Sequence, residues 1–187
     1  MIPRTLSSIL EKLATQYPAV TVTGPRQSGK TTLCRTCFPD KPYLNLESPD
    51  VREYANTDPR GFLGGYPDGA ILDEIQRAPD LLSYLQPIID EENRPGRFIL
   101  TGSQQFEVMN RISQSLAGRT AILKLLPFSI EELSARGSPH SADALMLSGF
   151  YPRIHAAGLN PTQALGDYFE TYVDRDLRQL VAVKDLA

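Results

Sequence analysis

Val20-Thr21-Val22-Thr23-Gly24-Pro25-Arg26-Gln27-Ser28-Gly29-Lys30-Thr31-Thr32 is the stretch on which the reading of this chain turns. Its centre fits G-x-x-x-x-G-K-[ST], with Gly24, Gly29, Lys30 and Thr31 at the required places. The two glycines let the backbone turn tightly and come close to an anion. Such a turn aims successive backbone N–H groups at phosphate oxygens. Lys30 adds a positive charge on a flexible stem. Thr31 offers a hydroxyl to a magnesium ion bridging the phosphates. The flanks agree with this reading. Ala19 to Thr23 is a short β-branched run, as a buried strand requires. Lys30 to Cys37 reads as a helix whose N-terminus favours negative charge. Gly24, Pro25, Arg26, Gln27, Ser28, Gly29, Lys30, Thr31 and Thr32 are therefore the expected phosphate-binding residues.

The second informative run is Gly69-Ala70-Ile71-Leu72-Asp73-Glu74. Small and apolar residues end in two adjacent acids. Downstream of a phosphate loop, such a strand places Asp73 near the metal. Glu74 then orients and deprotonates an attacking water. Arg97-Phe98-Ile99-Leu100-Thr101-Gly102-Ser103 is a further strand that ends in hydroxyls. In parallel sheets the carboxyl ends of strands face the ligand crevice. Thr101 or Ser103 is expected to meet a phosphate or the water, with capping of the next helix as the alternative.

With 187 residues and a formal charge of -3, the chain can bury one substantial core, with room for a small appendage. The acidic balance argues against a dedicated nucleic-acid-binding module. No stretch approaches membrane-spanning length and the start lacks a signal-peptide core, so a cytoplasmic protein is expected. Cys34 and Cys37 form a C-x-x-C on the helix that leaves the loop. With only His140 and His155 elsewhere in the chain, packing is expected there rather than zinc or redox chemistry.

In chain order, Thr5 to Gln16 is a helix with Leu6, Ile9, Leu10 and Leu13 on one stripe and Thr5 as cap. Tyr43 to Leu46 is a strand. Ser48 and Pro49 open a helix. Asp58 to Pro67, rich in Gly, Pro and Asp, reads as a surface loop or broken helix. Pro79 to Asn93 is a helix that Pro87 should kink. Gln105 to Ser115 reads as helical. Thr120 to Leu125 is a fifth strand, with Arg119 at its start as either a phosphate-reaching guanidinium or a surface ion pair. Ser129 and Glu132 make a capping box. Gly137 to Ser141 marks a domain boundary. Helical patterns follow over Ala142 to Leu147 and Thr162 to Val183. The latter carries Phe169, Tyr172, Val173, Leu177 and Leu180 on one stripe. Arg153, Arg175 and Arg178 read as solvated charges, with nucleotide or DNA contact as the sharper alternative. No turn signal precedes Ala187, so a longer natural protein is expected.

Gly24 to Thr31, Ala70-Ile71-Leu72-Asp73-Glu74-Ile75-Gln76 and Ile99-Leu100-Thr101-Gly102-Ser103 resemble motifs of the AAA+ ATPases. Leu116 to Arg119, Leu126 to Ser129 and Gly149 to Pro152 are similar to further motifs of a bacterial and archaeal group within that superfamily. Its members continue into a C-terminal domain. The resemblance implies a P-loop NTPase fold, a parallel five-stranded sheet in the order 5-1-4-3-2 with helices on both faces and a small helical segment after it. It divides the chain into an ATPase core over residues 1–136 and a helical lid or linker over 137–187. It implies ATP and Mg²⁺ as ligands, with Gly24 to Thr31 as the Walker A loop and Asp73 and Glu74 as the Walker B pair. Thr101 or Ser103 becomes the sensor, with Ser103 and Arg119 joining Lys30 and Glu74 as catalytic candidates. Arg119 is the arginine-finger candidate, and Asn45 a candidate switch that holds the glutamate back. The implied partners are a second copy of the chain, and a protein or DNA engaged through the C-terminal domain. The leading expectation is Mg²⁺-dependent ATP hydrolysis driving a conformational change. A nucleotide-gated signalling module with slow hydrolysis is the alternative, and a small-molecule kinase is the third.

Overall fold

Short aliphatic and β-branched runs become five parallel strands in the computed structural model, which describes residues 2–103, 111–112, 114–135 and 141–173. The strands are β1 (Ala19–Gly24), β2 (Tyr43–Asn45), β3 (Ile71–Asp73), β4 (Phe98–Ser103) and β5 (Thr120–Lys124). They lie in one sheet in the order β2-β3-β4-β1-β5, the order the resemblance implies. Every pairing is parallel, and Gly24 stands opposite Ser103. All six residues of β1 and of β4 are buried, because helices cover both faces of a parallel sheet.

Alternation along the strands sorts the side chains into two cores. Leu72, Phe98 and Leu100 face one side, where they meet α3 (Pro49–Thr57), α4 (Pro59–Gly64) and α5 (Leu81–Glu92). Val20, Val22, Ile71 and Ile99 face the other, against α1 (Leu6–Ala14) and α2 (Lys30–Cys37). Helix α5 contributes Leu81, Leu82, Leu85 and Ile89, each at most 1% exposed. Each such side chain contributes about 1.5–3 kcal/mol by leaving water. The helix runs unbroken across Pro87 and ends on Asn93 in the left-handed conformation, a common helix stop.

Several boundaries differ from the sequence reading. Asp58 to Pro67 contains the regular helix α4, with Asp58 accepting from the Gly61 amide and Phe62 and Leu63 buried. Thr5 precedes α1 without a side-chain capping bond. Ile9 is 47% exposed, whereas Leu10 and Ala14 are buried and Leu6 and Leu13 pack against the same core, so Ala14 takes the place of Ile9 on the buried face of α1. The helix expected over Gln105 to Ser115 lies largely outside the described residues.

The chain packs as two units, and the division falls at Leu126–Pro127. This lies ahead of the boundary read at residues 136 and 137, which is itself outside the described residues. In the second unit Phe128 and Leu133 share a core with Ile2 and Leu145. That unit contains α6 (Ile130–Ser134), α7 (Ala142–Ser148), α8 (Pro152–Ala157), α9 (Pro161–Tyr168) and a π-helical turn over Phe169–Val173. The capping box of Ser129 and Glu132 forms in both directions. Arg175, Arg178, Leu177, Leu180 and His140 lie outside the described residues.

Candidate functional site

The carboxyl ends of β1, β3 and β4 adjoin one another, and each delivers one part of the site. After β1 the backbone reverses through Gly24 (φ 149), Gln27 (φ 60) and Gly29 (φ 93). A Cβ on Gly24 would stand 2.0 Å from the Leu125 carbonyl oxygen, so only glycine fits there. Gly29 leads into α2, whose first-turn amides have no partner within the helix. Lys30 is 5% exposed. Its Nζ donates to the Gly24 carbonyl at 3.1 Å and the Pro25 carbonyl at 3.0 Å. The ammonium thus closes the loop upon itself. Burial pushes its pKa below the ordinary lysine value, while the carboxylates of Glu74 and Asp73 pull the other way.

Asp73, at the end of β3, is 4% exposed and collects three hydroxyl donors. Thr31 Oγ1 stands 3.0 and 2.9 Å from its two oxygens. Tyr43 Oη donates at 2.6 Å, and Thr101 Oγ1 donates to Oδ1. Burial, with the bond to Asp73 second, drives the Tyr43 phenol well above its usual range. Thr101 also accepts from the Glu74 amide at 3.1 Å. Its hydroxyl is therefore committed to holding β3 against β4. The Ser103 hydroxyl is buried and has no partner among the described residues, and the same holds for Ser28 Oγ. Of the two sensor candidates, Ser103 retains a hydroxyl for a ligand.

Glu74 adopts the left-handed conformation (φ 58, ψ 50), unusual for a non-glycine residue. Backbone strain of this kind clusters at functional sites. Its carboxylate accepts from Gln76 Nε2. Asn45, the switch candidate, pairs across the sheet with Asp73, yet its Oδ1 accepts from the Glu47 amide. The amide that meets Glu74 is that of Gln76.

Arg119 is not brought to this site. It precedes β5 beside Ala19, at the amino ends of the strands. About five residues of strand at ~3.3 Å each separate it from the level of the loop. Its guanidinium makes a two-pronged pair with Asp90, including Nη2 to Oδ2 at 2.8 Å. The ion-pair alternative is the one observed. Arg153 is exposed. Thr32 is exposed on α2, one residue beyond Thr31.

Cys34 is buried against α1 and the sheet, and burial pushes its thiol up to about 12. Cys37 is also raised by burial, and both are free thiols. Among the described residues no group of three His, Cys, Asp or Glu side chains is placed to hold a metal. Magnesium needs less, since it keeps waters and takes one or two protein ligands beside substrate phosphates. Thr31 and Asp73, already in contact, supply that donor set.

Three residues of the site escaped the sequence reading. Arg4 donates to the Ser28 carbonyl at 2.8 Å and to the Leu126 carbonyl at 2.6 Å, bracing the loop. Tyr43 reaches Asp73, and Gln76 reaches Glu74. Tyr43 and Asn45 are polar residues two apart on a strand, a spacing that puts both on one side. That was the available signal. Arg4 left none, because its partners are backbone carbonyls.

The AAA domain family matches residues 16–134. Uncharacterized proteins of Mycobacterium tuberculosis and Mycobacterium bovis are each 32% identical to the chain over 180 residues, covering 95% of it and 40% of the relative. The chain thus spans about 40% of the length of these curated relatives. Among solved structures, the Walker-type ATPase of Pyrococcus abyssi aligns with a TM-score of 0.58 at 18% identity, over 96% of this chain and 75% of that one. AMPPCP-bound DnaA from Aquifex aeolicus aligns with a TM-score of 0.51 at 14% identity, over 96% and 68%. At such identities the likeness establishes the fold. No helix among the described residues is long and apolar enough to cross a membrane.

Proposed function

The chain belongs to the AAA domain family, and on that premise we propose that it binds ATP at Gly24 to Thr32 and hydrolyses it with Mg²⁺ to drive a change of conformation. Lys30 exchanges the Gly24 and Pro25 carbonyls for phosphate oxygens, a stronger, charge-assisted bond. The loop and first-turn amides take the remaining phosphate oxygens. Thr31 and Asp73 hold the metal. When bound, Mg²⁺ supplies positive charge to the phosphate oxygens. Glu74 orients the attacking water and accepts its proton. Ser103, whose hydroxyl has no partner among the described residues, meets the γ-phosphate or that water.

The observation that carries this reading is the meeting of Thr31 and Asp73 oxygens at 3.0 Å or less, beside a lysine that feels the charge of Glu74. Residues from three separate segments, Thr31 after the loop, Asp73 on β3 and Thr101 on β4, converge there. A second copy of the chain is proposed as one partner, and a protein or DNA, engaged through a C-terminal domain, as the other. The test is equilibrium ATP binding and phosphate release, with and without Mg²⁺ and DNA. Lys30→Ala should weaken ATP binding at least about tenfold, the loss of one charged hydrogen bond or more. Wild-type affinity in Lys30→Ala would refute the assignment of the loop.

A further inference from the structure

Glu74 is followed at once by a 3₁₀ turn over Ile75–Arg77. The left-handed backbone of Glu74 reverses the chain, so that a side chain two residues later faces back on it. Gln76 is that side chain. Its Nε2 donates to Glu74 Oε2. Its Oε1 is buried and accepts no hydrogen bond among the described residues. This orientation of the amide is the one electrostatics allows, since turning it over would put carbonyl oxygen against carboxylate. The same amide lies over β4. A Cβ on Gly102 would stand 2.9 Å from Gln76 Oε1 and 3.5 Å from Ile75 Cγ2. Ile75 itself is fully buried and anchors the turn. One amide group therefore touches the candidate base on one side. On the other it rests on the strand that carries Thr101 and Ser103.

We propose that Gln76 is the positioning residue for Glu74, seated in the space that Gly102 leaves open. The inference rests on the proposed hydrolysis with Glu74 as base. With Oε2 held by an N–H donor, the carboxylate keeps one orientation and presents Oε1 to the water. A fixed acceptor of this kind raises the fraction of encounters in which the proton can be transferred. Gly102 matters because any larger residue drives the amide out of its seat. The displaced atom is the free end of a flexible side chain, so the strand itself need not move.

The experiment compares Gln76→Leu, Gly102→Ala and the double variant in steady-state ATP turnover, ATP binding and thermal melting. Each single variant should lower kcat about tenfold, as expected for a lost hydrogen bond to a charged group. KM and ATP affinity should stay within about twofold. The double variant should be no slower than the slower single, because both remove one contact. A kcat at or above wild type in Gln76→Leu overturns the inference. So does a rise in KM that matches the fall in kcat, or a double variant that multiplies the two effects. Glu74→Gln is run beside them. If it hydrolyses ATP as wild type does, the assignment of the base fails and this inference fails with it. If it is inactive while Gln76→Leu is fully active, only this inference fails. Should Gln76→Leu not melt cooperatively, Gln76→Met and Gly102→Ala carry the test under the same criteria.

Discussion

The chemistry of the site is concentrated on two neighbouring carboxylates with opposite surroundings. Asp73 is buried and takes hydroxyls from Thr31, Tyr43 and Thr101, which hold its carboxylate in one orientation, as the proposed metal-ligand role requires. Glu74 is half-buried and accepts from the Gln76 amide at Oε2, and the proposed base role falls to its other oxygen. Tyr43→Phe removes one donor and nothing else, and should lower the free energy of unfolding by about 1–2 kcal/mol. Urea denaturation measures this, and an unchanged midpoint would show that the phenol bond carries no net stability. Cys34 gives a second residue-scale check. With its thiol pushed up to about 12 by burial, Cys34 stays in the unreactive thiol form at neutral pH. An alkylating reagent should therefore modify Cys37 first and leave Cys34 intact until the fold opens. Mass spectrometry of the native reaction reads the order directly, and prior labelling of Cys34 would contradict its burial.

At the scale of elements, what repeats with a period was legible and what depends on register was not. The β-branched run before Gly24, the leucines of α5 and the capping box at Ser129 all declared themselves. Leu85 is fully buried in the core beneath α5, and Leu85→Ala should cost about 2–5 kcal/mol through lost burial and a cavity. A loss under about 1 kcal/mol in denaturant titration would mean that the site collapses around the gap. Helix α4 was obscured because its Pro, Gly and Asp residues are turn formers, and two adjacent apolar residues are too few to set a period. Its stability comes instead from the Asp58 cap and from Phe62 packed edge-on between Tyr54 and Tyr66. Arg119 sits next to a strand, and sequence does not show which end of the sheet it occupies. Parallel pairing with Ala19 decides it. Arg119→Ala should accordingly leave ATP affinity unchanged in the isolated chain, and a titration showing tenfold weaker binding would restore the arginine to the site.

Across the whole molecule, the parallel sheet gathers residues that sequence keeps apart. Thr31 and Asp73 are 42 positions apart, and Thr101 is 28 further on, yet their oxygens meet because three strands end at one level. The two acids and the glycine loop were legible as motifs, since each has local residue requirements. The supporting contacts of Arg4, Tyr43 and Gln76 were not, since each depends on a neighbour that only the fold supplies. A ligand that binds the folded chain alone raises its stability by about 2.7 kcal/mol at a hundred times Kd. ATP with Mg²⁺ should therefore raise the melting temperature of the wild type and not of Lys30→Ala.

Phosphate release by Glu74→Gln, measured beside its ATP affinity, tests the central claim most directly. The glutamine keeps the shape of the side chain but accepts no proton. It should bind ATP within about twofold of wild type and release phosphate at least about a hundredfold more slowly, the scale of general-base catalysis. Turnover at the wild-type rate would contradict the site as described.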